Sequence, residues 1–236
     1  MQSNNIQLAI FDMAGTTVHD ENFVTRALCE ALATHGYPEV TLEAANAVMG
    51  IAKPIAIEML LKEFYPETAA QADIQAIHES FLKAMSHFYE TTPGIREMEG
   101  TSDTFQRLRE MGIKIGLDTG FSRDITDIII KRLGWHKPGV LDVSVASDEV
   151  ERGRPYPDMI YKAMQLLDIS DTKAVAKIGD TPVDLQEGAN ADCGLVMGVW
   201  SGAANKETLA LYPHTHLVPS IADVPEKIRE YLVMEA

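Results

Sequence analysis

A doubly wound parallel α/β sheet carrying one small helical insertion is the fold this sequence predicts, and two observations predict it. Short aliphatic runs at 7–11, 113–117, 140–146, 174–178 and 195–199 alternate with helix-like stretches. That alternation belongs to a parallel sheet covered by helices on both faces. It breaks once, over 20–92, where apolar residues recur at helical spacing and no strand is apparent. At 236 residues the chain is long enough for a core domain plus such an insertion. The expected division is a core of 1–19 and 93–236, interrupted by a helical cap of 20–92.

The elements follow in order. The first strand ends at Asp12. In the insertion, Phe23, Ala27, Leu28, Ala31 and Leu32 keep one helical face, and His35-Gly36-Tyr37-Pro38 is a stop signal. Thr41-Leu42-Glu43-Ala44 reads as a helix start, and Ile77, Phe81, Met85 and Phe88 form a further face. Met49, Met59, Phe64, Met85 and Phe88 are expected in the cap core or on a dimer surface. Thr92-Pro93-Gly94 returns the chain to the core, and Gly100-Thr101 opens a helix ahead of the next strand. The later strands end at Asp118-Thr119, at Ser147-Asp148 and at Asp180. Pro213-His214-Thr215-His216 is read as a loop rather than a metal pair.

Composition narrows the function. A net charge of -15 repels a phosphate backbone and an anionic leaflet, which argues against nucleic acid and membrane as partners. An anionic substrate would need a local cation, so a metal site is expected where some of the 35 acidic residues meet. Cys29 and Cys193 lack metal-ligand spacing and are expected as free thiols. The first residues are too poor in apolar side chains for a signal peptide, and a cytoplasmic location is expected.

Parallel sheets bind ligands at the carboxyl ends of their strands, where this chain keeps its chemistry. Asp12 leads into Met13-Ala14-Gly15-Thr16-Thr17, a segment able to turn sharply and offer amides to an anion. Lys177-Ile178-Gly179-Asp180-Thr181-Pro182-Val183-Asp184 ends another strand in an aspartate, with a second carboxylate four residues on. Converging strand ends would let Asp12 and Asp180 share one cation. Magnesium suits such carboxylate, carbonyl and water ligands. Thr119 and Gly120 supply a hydroxyl and an amide for phosphoryl oxygens, and Arg154, in Gly153-Arg154-Pro155-Tyr156-Pro157, could hold two oxygens at once.

These four segments, in this order, resemble the four motifs of the haloacid dehalogenase superfamily. The resemblance implies that Asp12 is a nucleophile forming an aspartyl-phosphate. It also implies magnesium bound by Asp12, the Ala14 carbonyl and Asp180, with Asp184 supporting from behind. Most phosphatases of the superfamily carry an aspartate two residues after the nucleophile and a lysine before the last motif. Here those places look like Ala14 and Arg154. Both changes resemble the phosphonatase-like branch, whose cap lysine forms a Schiff base with an aldehyde substrate. Met49-Gly50-Ile51-Ala52-Lys53 is similar to that lysine segment, while Ala56 and Asn22 stand where the branch carries a histidine and a cysteine. The branch is dimeric through its cap, which implies a homodimer.

Ala14 and Lys53 are chemically coherent together. An ester leaves as an alkoxide that wants a proton from a positioned acid, and Ala14 cannot give one. Breaking a carbon–phosphorus bond expels a carbanion instead, for which an iminium on a lysine is an electron sink. That amine must be neutral near pH 7, down from about 10.4. Pro54 is suited to the first helical position, placing Lys53 at the N-cap, where the positive end of the helix disfavours the ammonium. The substrate is thus expected to be a small phosphonate. A phosphatase of a small phosphorylated metabolite, and a catalytically silent module that binds phosphoryl ligands, are the alternatives.

Overall fold

The computed structural model describes residues 5–234. The expected core bounds, and the first residues of the N-terminal segment, extend beyond those described. Six strands form one sheet: β1 (Leu8–Phe11), β2 (Lys114–Thr119), β3 (Val143–Ala146), β4 (Val175–Gly179), β5 (Leu195–Val199) and β6 (His216–Val218). Their order is β3-β2-β1-β4-β5-β6, and every neighbouring pair is parallel. Phe11 is in register with Leu117 on one side and Ile178 on the other. The strand order reverses between β1 and β4, so the crevice outside their carboxyl ends is the topological switch point.

Side chains alternate across the sheet and build two cores. Ala9, Phe11, Ile115 and Leu117 pack with α5 (Thr101–Glu110), α6 (Arg123–Arg132) and α10 (Val224–Met234). Leu8, Ile10, Val143 and Val145 pack with α7 (Asp158–Leu166) and α8 (Pro182–Asn190). A short α9 (Lys206–Leu209) links β5 to β6. Both faces are therefore buried, as near-continuous apolar strands require.

Between β1 and α5 the chain forms α1 (Phe23–Thr34), α2 (Leu42–Ala47), α3 (Lys53–Phe64) and α4 (Ile74–Thr91), which pack on one another; α4 also rests on α6. Thr41 caps α2 by accepting from Ala44 N, and Asp73 caps α4 through Ala76 N. Each cap contributes about 1 kcal/mol. Cys29 and Cys193 are free thiols. Among the described residues no helix is long and apolar enough to cross a membrane.

Several details differ from the sequence reading. Helix α3 begins at Lys53, with Ala52 as its cap, so Lys53 sits one position inside the expected N-cap. Tyr89, not Phe88, continues the buried face of Ile77, Phe81 and Met85, because a step of four from Met85 keeps the stripe in line. Phe88 instead stacks on Phe23, with centroids 3.4 Å apart. Met85 is buried and Phe64 packs against the core, whereas Met59 is exposed. The third strand starts three residues late, because Asp142 turns its carboxylate onto Ile115 N. His216 opens β6, an edge strand too short to show as an apolar run.

Candidate active site

The loop after β1 is a tight turn. Met13 O accepts from the amides of Thr16, Thr17 and Val18, and Thr17 Oγ1 donates to Asp12 O at 2.8 Å. Gly15 holds φ at 89° there, a conformation that costs glycine nothing. This turn brings Thr16 Oγ1 within 2.9 Å of Asp180 Oδ1. From the other side Ala203 N donates to Asp180 Oδ2 at 2.6 Å. A Cβ on either Gly15 or Gly202 would overlap the Asp180 carboxylate, so two glycines make room for it.

Asp12, Asp180 and Asp184 each bring a carboxylate oxygen into one group whose members lie within 4.8 Å of one another, all buried. Arg154 pairs with Asp12 and, at 3.0 Å, with Asp184, which Lys177 also reaches, whereas Asp180 meets no cation among the described residues. Burial, then the charges of Asp12 and Asp184, push Asp180 far above its ordinary range. Burial also lifts Asp12 to about 6, against the pull of Arg154. An all-oxygen donor set in which Asp180 lacks a cationic partner fits magnesium. Asp184 is held by Thr181, whose amide and hydroxyl both donate to its Oδ2, at 3.1 and 2.5 Å.

A second acidic group, Asp118, Asp184 and Glu187, already has its cations. Lys177 pairs with Asp118, with Asp184 at 3.2 Å and with Glu187 at 3.1 Å. Arg154 is 2% exposed. Its Nη1 donates to Asp12 Oδ1 at 2.6 Å, its Nη2 to Asp118 O at 2.8 Å and to Asp118 Oδ1 at 2.5 Å, and its Nε to Glu187 Oε2 at 3.1 Å. Burial and the Asp118 charge raise Glu187 to about 8. A protonated Glu187 can donate to Asp118, which accounts for Asp118 Oδ2 and Glu187 Oε1 being otherwise without a partner.

The guanidinium of Arg154 is thus engaged by protein carboxylates, where the sequence reading had it gripping phosphoryl oxygens. It does not line the pocket above Asp12. Thr16 likewise turns to Asp180 instead of the pocket. Lys177, Glu187, Gly202 and Ala203 escaped the sequence reading. A lysine inside an otherwise apolar strand was the available signal for the first, since a buried ammonium demands carboxylates.

The pocket itself joins the two parts of the chain. Asp12, Ala14, Thr119 and Gly120 line it from the sheet side, and Met49, Gly50 and Lys53 from the helical insertion. Gly50 O would lie 3.2 Å from a Cβ on Gly120, so the loop of the insertion presses on the end of β2. Thr119 Oγ1 accepts from Phe121 N at 3.2 Å, which fixes that turn. Lys53 is 4% exposed, with Nζ 3.4 Å from Ile51 O and 6.0 Å from the centre of the Phe81 ring. Burial lowers its pKa to about 8, against the charge of Asp12 and with the charge of Arg154. Among the described residues neither acidic group includes His214 or His216.

The chain resembles proteins of one family. Residues 9–197 match the family model for haloacid dehalogenase-like hydrolases. The chain is 33% identical over 209 residues to a phosphonoacetaldehyde hydrolase of Bacillus cereus, covering 83% of this chain and 74% of that one. Its fold superposes on a phosphonoacetaldehyde hydrolase-like protein from Oleispira antarctica with a TM-score of 0.85 at 21% identity, covering 99% and 95% of the two chains. A hydrolase from Pseudomonas syringae superposes with a TM-score of 0.81 at 18% identity, covering 95% and 98%.

Proposed function

This chain belongs to the haloacid dehalogenase-like hydrolase family, and from that premise we propose that it hydrolyses the carbon–phosphorus bond of a small carbonyl phosphonate such as phosphonoacetaldehyde. One observation carries the reading: a buried lysine held toward its neutral form lines the same pocket as the family nucleophile. In this reading residues 20–92 are a cap closing on a core of 1–19 and 93–236.

Lys53 attacks the aldehyde carbon and, with loss of water, forms an iminium. Asp12 then attacks phosphorus. The electron pair of the breaking carbon–phosphorus bond flows into the iminium, leaving an enamine on Lys53 and a phosphoryl group on Asp12. Water hydrolyses the acyl phosphate to return Asp12 and release phosphate. Protonation of the enamine at carbon, followed by hydrolysis, frees acetaldehyde and the lysine. No acid is needed beside Asp12 for a departing alkoxide, which suits Ala14.

The donors of Thr119 and Gly120 orient the phosphonate, and Arg154 acts as a positioning residue by holding Asp12 Oδ1. Asp12, Asp180 and the Ala14 carbonyl would hold magnesium, with Asp184 behind them; the bound ion would neutralise phosphonate charge. The exposed Leu42, Ile55 and Met59 of the insertion would form the contact of a homodimer.

Phosphate release tests the reading. Phosphonoacetaldehyde with magnesium is expected to yield phosphate at a rate that falls at least about 10³-fold in both Asp12→Asn and Lys53→Arg. Turnover of phosphate monoesters that needs Asp12 but is indifferent to Lys53 would assign a phosphatase instead.

A further inference from the structure

Making an iminium at Lys53 moves two protons. Nitrogen sheds one as it bonds to carbon, and the carbonyl oxygen gains two before it departs as water, the second drawn from solvent, so a carrier must work twice. Asp12 is committed to phosphorus, and the Ile51 carbonyl near Nζ holds no proton at neutral pH. Asp20, whose charge also acts on Lys53, lines a pocket that Lys53 does not, which leaves the titratable groups sharing a chamber with the amine.

A second chamber, of about 190 Å³, adjoins the first pocket and shares Lys53, Gly120 and Phe121 with it. Its volume admits several waters. His78 of α4 lines this chamber, with Ser122, Ser147 and Asp148 as further polar groups. The imidazole lies nearly parallel to the Phe81 ring, 14° off, with centroids 6.4 Å apart. Lys53 Nζ stands 6.0 Å from the centre of that same ring. One aromatic ring thus has the amine and the imidazole as neighbours. The charged groups acting on His78 are Lys53 of α3, Asp148 after β3 and its own neighbour Glu79; burial and the Lys53 charge hold it below its ordinary pKa, which favours the neutral imidazole.

We propose that His78 is the proton-transfer partner of Lys53, working through water in this chamber, an assignment that rests on the Schiff-base reading above. The imidazole nitrogen takes the proton shed as the N–C bond forms. It passes that proton to the oxygen, giving the neutral carbinolamine, and then relays a second proton, taken up from solvent water, to the hydroxyl as the C–O bond breaks and water leaves, ending in its starting state. Ser122, Ser147 and Asp148 supply the hydrogen-bonding wall along which the water is held.

The test is the rate at which borohydride traps a Lys53 adduct from phosphonoacetaldehyde and magnesium, in the wild-type protein, His78→Ala and His78→Gln. Trapping is expected to slow at least about tenfold in both variants. Added imidazole should restore His78→Ala, with methylated imidazoles restoring it in order of their basicity, while the melting temperature stays unchanged. An unchanged trapping rate in both variants would overturn the assignment, as would a loss that imidazole does not reverse. Absence of any adduct in the wild-type protein would overturn the Schiff-base reading itself, an outcome distinct from either.

Discussion

Lys53 concentrates the chemistry into one titration. With a pKa of about 8, its neutral fraction is about one in ten at pH 7 and half at pH 8. Adduct formation should therefore climb close to tenfold per pH unit below 8 and flatten above it, as stopped-flow trapping across pH 6–9.5 would register. The same shift has a consequence for stability. Between about 8 and 10.4 the unfolded chain binds the proton that the folded chain has lost, so stability rises with pH across that window and the full penalty is present below it. Lys53→Met keeps the volume and removes the charge. It is expected to stabilise the fold at pH 7 by up to about 2–3 kcal/mol while abolishing turnover; a lower melting temperature would contradict this. The Asp180 cradle is equally sharp: Gly202→Ala puts a methyl group into the Asp180 carboxylate and should weaken magnesium binding about 10- to 100-fold, measured by calorimetric titration.

At the scale of elements, β2, β4, α8 and the Arg154 loop are tied by one buried ion network. Removing one member strands the others without water, at a cost of about 3–5 kcal/mol, so Lys177→Met should lower stability by that amount in denaturant unfolding. Adding Glu187→Leu should recover part of the loss, because fewer carboxylates are then left unpaired. This network marks the limit of what the sequence disclosed. Five strands were legible as short aliphatic runs, four of which end in polar residues, and Asp12 and Asp180 could be paired because parallel strand ends converge. Lys177 was not, since its partners Asp118 and Glu187 lie on different elements and only the folded sheet juxtaposes them. Arg154 was identified but aimed at the wrong anion, as sequence carries its charge and not its direction. The burial of Lys53 depends on the insertion closing on Gly120, a tertiary event with no local signature.

The whole molecule carries a net charge of -15 and gathers Asp12, Asp180 and Asp184 at one buried place. In the proposed reading, the repulsion this charge exerts on an anionic substrate would be offset by a cation held at Asp12, Asp180 and Asp184. Magnesium at 100 times its dissociation constant should therefore stabilise the fold by about 2.7 kcal/mol, raising the melting temperature by several degrees. The rise should vanish in Asp180→Asn. Both parts of the chain line the pocket that holds Asp12 and Lys53, so under the proposed mechanism neither part would carry the reaction alone. The most direct test of that union is mass spectrometry of the protein after phosphonoacetaldehyde, magnesium and borohydride. A reduced two-carbon adduct on the peptide containing Lys53, absent in Lys53→Arg, is the predicted result. An unmodified Lys53 in a protein that still releases phosphate would contradict the account.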